Sequence, residues 1–441
     1  MSKIFVDQVD PKTATTLTLG TTGDTVTVPT GVGLTATDEV KTNKISPATG
    51  TAFTLGDSGD TFTVPSGATI ANSGTATGFG ITATNFRPNV NPLIINGDCA
   101  VSQRSTSVTG ITGSGYNTID RFKVGFAMGT WTQTQESLTS GNAYTDGFSN
   151  ALKMDCTTAD ASVGSSDRLA LSYNIEGQDL QLLKKGTANA EPVTISFWVK
   201  ATKTGTNILE LYDNDNNRQI SIAYTVSSSD TWEYKVVNFP ADTTGVLGDD
   251  NGSSLAINWW MGAGSNFSSG TLSTSWSSVT DADRAVGQVN HADSTSNNFH
   301  ITAAQLEVGT YTSATIPPFQ HESYGNNLAR CQRYYYNVNP TNEQYGSIAM
   351  AAYYSSTFVL SCAHFPVTMR ATPTADFVTG TDYFNINRDS ANDGFNVLIM
   401  EKATLNTADY VANALVSATS GVAGRLRFNS TSARLRFTAE L

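Results

Sequence analysis

The side chains best suited to chemistry in this sequence are aromatic residues that stand beside polar ones. Trp276 lies in a Ser/Thr-rich stretch, and three polar residues follow it closely: Asp281, Asp283 and Arg284. An aromatic ring packs on the apolar face of a sugar, while nearby carboxylate and guanidinium groups bond to the sugar hydroxyls. These residues form a candidate sugar-binding cluster. The alternative is that Trp276 folds back and caps a β-sandwich.

Two pairs of adjacent aromatic residues extend the candidate set. Trp259 and Trp260 are neighbours in a strand-like segment, so their side chains must point to opposite faces. We expect one to be buried and the other to be exposed or in an interface, and Trp260 joins the candidate carbohydrate-binding residues. Tyr353 and Tyr354 join them too. In an oligomer, outward-facing tyrosines of this kind could instead line the contacts between chains.

Motifs of familiar catalytic and metal sites do not occur in the sequence. There is no HExxH, GxSxG, P-loop or GxGxxG pattern. A glycosidase needs two facing carboxylates, which sequence alone does not exclude, but acidic residues concentrate in turn-like segments such as 212–217 and 248–252. Neither segment has the full spacing of a calcium loop, although a structural calcium ion is kept as an alternative. We therefore predict a protein that is not an enzyme and needs no cofactor.

Composition and charge exclude several classes of partner. The net charge is −12, and charged residues make up 15% of the chain, against a usual quarter. Binding to phosphates or to anionic lipid needs clustered Lys and Arg, and no segment is apolar enough to span a membrane. We expect no nucleic-acid partner, no membrane insertion and no secretion signal. The four cysteines are far apart and are predicted to be reduced thiols.

The first 90 residues contain an internal repeat. The segment 17–31 (LTLGTTGDTVTVPTG) recurs at 53–67 (FTLGDSGDTFTVPSG), a period of 36 residues. Each unit reads as a strand, a Gly-Asp turn and an alternating strand. Its single thin apolar face cannot form a core within one chain. We predict an extended β-repeat shaft and attachment region over 1–90 that requires oligomerisation.

From Leu93 the pattern becomes that of globular, all-β domains. Alternating segments at 193–201, 207–213, 219–226, 232–239, 255–262 and 298–309 are separated by short turns, which predicts a jelly-roll β-sandwich over 91–317. Trp198 and Trp232 fall within these segments and are predicted to pack in the core. Apolar residues at helical spacing predict a short linking helix within 323–337. A second β-sandwich is predicted for the rest of 318–441.

Several stretches resemble tail-fibre and receptor-binding proteins of bacteriophages from marine and freshwater bacteria, cyanobacteria included. They are NPLIINGDCAVSQRSTS (91–107), YNTIDRF (116–122), the long stretch 281–335 with its ITAAQLEVG and PFQHESYGNNLARCQRYY motifs, and FPVTMRATPT (365–374). They occur in the same order as in that family and cover about 91–375. The N-terminal repeats are similar to the shaft repeats of such fibres.

The resemblance implies an intertwined homotrimer in the virion, made in the cytoplasm of the bacterial host. The N-terminus would face a tail or baseplate protein, and 318–441 would be the receptor-binding tip. The central domain would resemble carbohydrate-binding modules, which often carry an acidic calcium ligand in the last strand. Ala303 and Ala304 depart from that pattern, so no metal is predicted.

The function implied is host recognition and adsorption, by non-enzymatic binding of surface polysaccharide or lipopolysaccharide. Two alternatives stay open: a tailspike-type polysaccharide depolymerase, and a purely structural fibre or adaptor segment.

Overall fold

A computed structural model describes residues 91–125, 128–389 and 391–441 of the protein. The described residues all belong to one compact unit of the chain. The predicted shaft over 1–90, with its repeats at 17–31 and 53–67, lies outside the described residues.

Thirteen strands in the first part of the described chain form two antiparallel sheets. They are β1 (Ser107–Ile111), β2 (Gly115–Tyr116), β3 (Phe122–Gly125), β4 (Thr130–Ser137), β5 (Asn150–Thr158), β6 (Arg168–Glu176), β7 (Val193–Ala201), β8 (Gly205–Asp213), β9 (Arg218–Val226), β10 (Glu233–Phe239), β11 (Ser253–Ala263), β12 (Ser277–Ser278) and β13 (Asn298–Val308). The six-stranded sheet has the order β1-β4-β5-β13-β7-β10, and the seven-stranded sheet has the order β12-β9-β8-β11-β6-β3-β2. Helical turns α1 (Asn142–Thr145) and α2 (Ser265–Ser268) lie in the connections.

The two sheets pack face to face, because alternate residues of each strand are apolar. In β11 the side chains of Ile257 and Trp259 enter the shared core, where Trp259 meets Phe197 of β7 edge to face at 5.8 Å between ring centroids. Each segment predicted from alternation contains or overlaps one of the observed strands. The predicted sandwich is confirmed.

A second β-sandwich follows a single helix, α3 (Tyr324–Gln332). Its strands are β14 (Tyr335–Asn337), β15 (Ser347–Ser355), β16 (Phe358–His364), β17 (Thr374–Val378), β18 (Phe384–Arg388), β19 (Ala391–Phe395), β20 (Ile399–Ala403), β21 (Thr407–Ala412), β22 (Ala423–Phe428) and β23 (Arg434–Thr438). A seven-stranded sheet, β19-β18-β22-β15-β16-β21-β20, packs on the small sheet β14-β23-β17 around a core that includes Phe384, Phe428 and Phe437.

The helix α3 is shorter than its sequence pattern suggested. Ser323 caps its N-terminus by accepting a hydrogen bond from the Asn326 backbone N–H. The pattern placed Tyr335 on the same helical face, but the helix ends at Gln332 and Tyr335 begins β14, paired with Thr438. Long-range pairing with β23 therefore overrides local helical periodicity at this point.

The two sandwiches are joined by a buried polar junction. Arg121 of the first donates to Glu440 of the second at 2.6 Å, and its guanidinium lies 3.5 Å from the centroid of the Tyr334 ring. Gln103 donates to the backbone carbonyl of Tyr335 at 2.7 Å, and Arg333 pairs with the buried carboxylate of Glu176 at 2.8 Å. Three stretches within the resembling segments thus meet here: 91–107, 116–122 and 323–335.

Within the described residues, no helix is both long enough and apolar enough to cross a membrane. The predicted homotrimer and the predicted boundary between residues 317 and 318 stay predictions.

Candidate functional site

The candidate site is a groove on the outer face of the seven-stranded sheet of the first sandwich, with a volume of about 300 Å³. We call it the Trp260 groove. It is lined by Gly125, Arg168, Ala170, Ser172, Tyr212, Asn214, Ala256, Asn258, Trp260 and Arg284. Strand alternation builds it, because Trp259 fills the core while Ala256, Asn258 and Trp260 face outward from β11. Trp260 is nevertheless only 2% exposed, because its ring packs on Phe267 at 5.8 Å between ring centroids. The expectation that one of the two tryptophans would be exposed or in an interface is therefore wrong.

A row of hydrogen-bonded polar side chains crosses the floor of the groove. Asn258 of β11 stands opposite Ser172 of β6 and Glu210 of β8 in the sheet register. The Ser172 hydroxyl donates to Asn258 Oδ1 at 2.6 Å, and Asn258 Nδ2 donates to Glu210 Oε2 at 3.0 Å. Gly125 leaves room above this row, because a Cβ there would lie 2.7 Å from the Ser172 hydroxyl.

Glu210 holds the side chains of Trp260 and Arg284 in place. Its carboxylate is fully buried and accepts from Trp260 Nε1 at 3.1 Å. It also accepts two hydrogen bonds from Arg284, from Nε at 2.7 Å and from Nη2 at 3.0 Å. The guanidinium is thereby held 4.8 Å from the Tyr212 ring centroid and 5.4 Å from that of Trp260. Such bidentate pairing fixes geometry as well as charge.

The charges of the groove are coupled. Burial alone would lower the pKa of Arg284, but Glu210 outweighs it and raises that pKa. The pKa of Arg168 is lowered, first by burial and then by repulsion from Arg284. Both arginines stay cationic at any ordinary pH, since their unperturbed pKa is above about 12.

The structure brings three of the predicted residues together. Trp260 and Arg284 line the groove, and Asp281 accepts a hydrogen bond from Arg284 Nη1 at 3.3 Å. Asp283 has a different place, because its Oδ1 accepts from the Thr271 backbone N–H at 2.8 Å and so shapes the loop.

Trp276 lies away from the groove. Its Nε1 donates to the Pro240 carbonyl at 2.8 Å, the Lys185 ammonium lies 4.6 Å from its ring centroid, and its ring packs against the sandwich core. The alternative of a tryptophan that caps the sandwich describes this arrangement, and the proposed cluster of Trp276 with its following acids does not form around one cavity.

The tyrosine pair lies in the second sandwich and splits between its two faces. Tyr353 is buried in the core, where its hydroxyl donates to Asp393. Tyr354 is 73% exposed and meets the ring of Phe358. A buried Tyr353 offers no ring face to a ligand, because inward alternation places it between the two sheets.

Motif and spacing patterns do not reveal Tyr212 and Asn258, which line the groove, or Glu210, which lies beneath it. Tyr212 opens the segment 212–217, whose acidic residues indicate a turn. The usable signal was alternation: Glu210 and Tyr212 share the outward face of β8, and a charged residue there needs a partner on a neighbouring strand. Within the described ranges, no group of three or more His, Cys, Asp or Glu is placed to hold a metal ion.

No protein-family model matches the sequence, and no curated protein matches it. Solved structures similar to the chain include tailspike protein 4 of bacteriophage CBA120, in its enzymatically active domain, at 12% identity and a TM-score of 0.23. That match covers 49% of this chain and 21% of the tailspike domain. The CBM22-1–GH10 modules of Clostridium thermocellum xylanase 10B are also similar, at 12% identity and a TM-score of 0.24, and the match covers 46% of this chain and 28% of that one. TmCBM61 in complex with β-1,4-galactotriose is similar at 10% identity and a TM-score of 0.23, and the match covers 49% of this chain and 99% of that one. TM-scores this low carry no argument about function.

Proposed function

We propose that this protein is a phage tail-fibre-type receptor-binding protein that attaches to a bacterial surface polysaccharide or lipopolysaccharide without cleaving it. The observation that carries the proposal is the Trp260 groove. The half-buried ring of Tyr212, a guanidinium, amides and a hydroxyl converge there on one open space.

The chemistry of the groove suits a sugar. Its volume of about 300 Å³ lies at the lower end of the range of ligand pockets. The half-buried Tyr212 supplies an apolar ring at one side. Asn214, Asn258 and Ser172 supply amide and hydroxyl groups for sugar hydroxyls, in the manner of sites where a few placed polar groups set specificity.

The same geometry supports binding rather than hydrolysis. The one carboxylate under the floor, Glu210, already accepts four hydrogen bonds from Arg284, Asn258 and Trp260. An acid catalyst must carry a proton, and a nucleophile or base must have a free lone pair. The depolymerase alternative predicts a long parallel β-helix, whereas all strand pairs between described residues are antiparallel.

The proposal includes assembly into a homotrimer, supported by the second sandwich. The outer face of its seven-stranded sheet carries exposed apolar side chains at Met350 (68% exposed), Tyr354, Leu360 and Ile399. We call this surface the Met350 face. Large apolar side chains exposed on one face of a sheet are typical of a protein contact. Arg425 stands beside Met350 and acidic Glu401 lies towards the other edge, so the face offers opposite charges to a second copy.

The experiment is binding of the purified full chain to immobilised bacterial lipopolysaccharides and capsular polysaccharides. We expect saturable binding to at least one of them. Substitution of Tyr212 by Ala should weaken it by about fivefold, since an aromatic contact contributes about 1 kcal/mol. The exposed Tyr324→Ala change on α3 is the matched control and should leave the affinity unchanged.

Two results would contradict the proposal. One is the absence of binding to every polysaccharide together with no competition by the protein against phage adsorption. The other is release of reducing ends from a bound polysaccharide, which would establish the depolymerase alternative.

A further inference from the structure

A second pocket lies on the opposite side of the first sandwich, on the outer face of its six-stranded sheet. We call it the Trp198 pocket; its volume is about 360 Å³. Trp198 of β7 and Tyr234 of β10 stand opposite each other in the register and face away from the core. Segment 313–321 and the residues after α1 form the other walls. The pocket thus shares no lining residue with the Trp260 groove.

Aromatic rings form two sides of the pocket. The Trp198 and Tyr234 centroids are 5.3 Å apart and tilted by 44°. On the other side, Phe148 meets Phe319 edge to face at 5.0 Å and stacks on His321 at 5.1 Å. These rings form a cluster separate from the sandwich core. The predicted burial of Trp198 is therefore correct, but it is burial beneath a pocket and not between the sheets.

The floor holds a buried acceptor that lacks a partner. Gln305 of β13 is 4% exposed, and its Nε2 donates to the Pro317 carbonyl at 3.2 Å, which fixes the orientation of the amide. The other amide atom, Oε1, has no hydrogen-bond partner among the described residues. A buried acceptor left unpaired costs about 1–3 kcal/mol, and natural structures nearly always satisfy such atoms.

A carboxylate stands at the edge of the same pocket. Asp146 accepts a hydrogen bond from Trp198 Nε1 at 3.3 Å, and no Lys or Arg lines the pocket in the described part of the chain. An acidic sugar would meet the charge of Asp146 without a cation to balance it. Hydroxyl groups, in contrast, can donate to Asp146 and to Gln305 Oε1 while the ring rests on the aromatic wall.

We infer that the Trp198 pocket is a second carbohydrate site and that it takes a neutral sugar ring. Each chain then carries two sugar sites on opposite faces of one sandwich. Two weak sites on a rigid body raise the overall affinity for a polysaccharide that can reach both, without any new contact. The inference goes beyond the proposed function, because the two sites are formed by different residues and can fail separately.

The test is saturation-transfer NMR on the full chain with the methyl glycosides of glucose, galactose, mannose and N-acetylglucosamine, and with methyl glucuronide as the acidic probe. Two variants address the pocket. Gln305→Met removes the acceptor and keeps the size of the side chain. Ser313→Trp places a bulky ring at an exposed position on the rim, where it closes the mouth without disturbing the core. Tyr212→Ala is the control for the Trp260 groove.

In the Tyr212→Ala variant, in which the Trp260 groove is weakened, we expect transfer to at least one neutral glycoside and none to the glucuronide. Adding Ser313→Trp to this variant should abolish the transfer, and adding Gln305→Met should weaken the affinity by about tenfold. The inference is overturned if no neutral glycoside receives transfer, if the transfer survives the addition of Ser313→Trp to Tyr212→Ala, or if the wild-type signal survives Ser313→Trp alone and is lost in Tyr212→Ala. In the last case the sugar lies in the Trp260 groove, and the proposed function stands without the second site.

Discussion

Glu210→Gln is the change that tests most sharply how the Trp260 groove is built. Glu210 is fully buried, and Arg284, with a side chain 12% exposed, forms two hydrogen bonds to it. A neutral amide of the same shape can still accept from Trp260 or Asn258. It cannot balance the charge of Arg284, so the guanidinium is left half-buried with Asp281 as its remaining counter-charge.

The magnitude follows from this environment. Removing one partner of a buried ion pair costs about 3–5 kcal/mol. Asp281 lies 3.3 Å from Arg284 but is 61% exposed, so it compensates only in part. We therefore expect Glu210→Gln to lower the free energy of unfolding of the first sandwich by about 3 kcal/mol, at the lower end of that range.

The assay is urea unfolding followed by tryptophan fluorescence. All six tryptophans lie between Trp131 and Trp276, so the signal reports the first sandwich and not the second. The matched control is Glu191→Gln, which breaks the exposed pair with Lys184 (side chains 37% and 52% exposed) and should cost less than about 1 kcal/mol. A Glu210→Gln variant as stable as that control would refute the assignment of Glu210 as the residue that holds Arg284.

Three further predictions concern other parts of the molecule. Burial lowers the pKa of His291 to about 3. Below about pH 6.5 this histidine therefore takes up a proton in the unfolded chain but not in the folded chain. The free energy of unfolding should consequently fall by about 1.4 kcal/mol per pH unit as the pH is lowered from about 6.5 towards 3. Urea unfolding at pH 7 and pH 4.5 should show this loss reduced in His291→Gln and unchanged in the exposed His364→Gln; equal losses in both would contradict it. Glu440→Gln removes the counter-charge of Arg121, whose side chain is 1% exposed, and should lower the free energy of unfolding by about 3 kcal/mol. Backbone hydrogen exchange in α3 should therefore become faster than in the wild type, and an unchanged exchange rate would count against this prediction. Cys362 is exposed on the Met350 face, so thiol labelling should be slow in the assembled trimer and fast in dilute monomer; fast labelling of a trimer would show that this face is not the interface.

Much of the fold was predictable because the strands obey simple alternation. In β7 the residues Ile195, Phe197 and Val199 face the core while Ser196 and Trp198 face outward, and the sequence shows this period of two directly. Local periodicity does not encode partners, however. It could not show that β11 lies between β6 and β8 or that β13 lies between β5 and β7.

The end of α3 shows the same limit. Tyr335 continues the helical pattern of Leu328 and Cys331, yet it pairs with Thr438, more than a hundred residues later in the chain. The Arg104 guanidinium also lies 3.6 Å from the centroid of the Tyr335 ring. This contact and the pairing with β23 outweigh a weak local preference for helix. Nothing in the sequence near Tyr335 reveals either partner.

The candidate site was only partly predictable. Trp260 and Arg284 are 24 positions apart, and what unites them is Glu210, a residue on a third segment. Proximity in sequence suggested instead that Trp276 would join Asp281, but Trp276 bonds to Pro240 and packs against the core. Sequence neighbours in a loop need not share a cavity, whereas outward residues on adjacent strands usually do.

The recognisable sequence motifs correspond largely to the junction, although Asp281 and Arg284 of the stretch 281–335 lie at the groove. Gly97 of the first motif packs so tightly that a Cβ would lie 2.0 Å from the Ala304 carbonyl oxygen, and Asn327 donates to Asp98 at 3.2 Å. The Gly97 contact lies within the first sandwich, and the Asn327 bond ties the helix α3 to that sandwich. A scaffold of this kind constrains its own motifs, while binding residues vary over it.

The most direct test of sugar binding in the Trp260 groove is fluorine NMR of the full chain labelled with 5-fluorotryptophan. The ligand is an oligosaccharide prepared from whichever polysaccharide the protein binds, and Trp260→Phe assigns the resonance. Because Trp260 lines the groove and Trp131 is buried in the core, we predict that titration shifts the Trp260 signal and leaves the Trp131 signal in place. Saturable binding without a shift of the Trp260 signal would contradict the assignment of this groove as the sugar site.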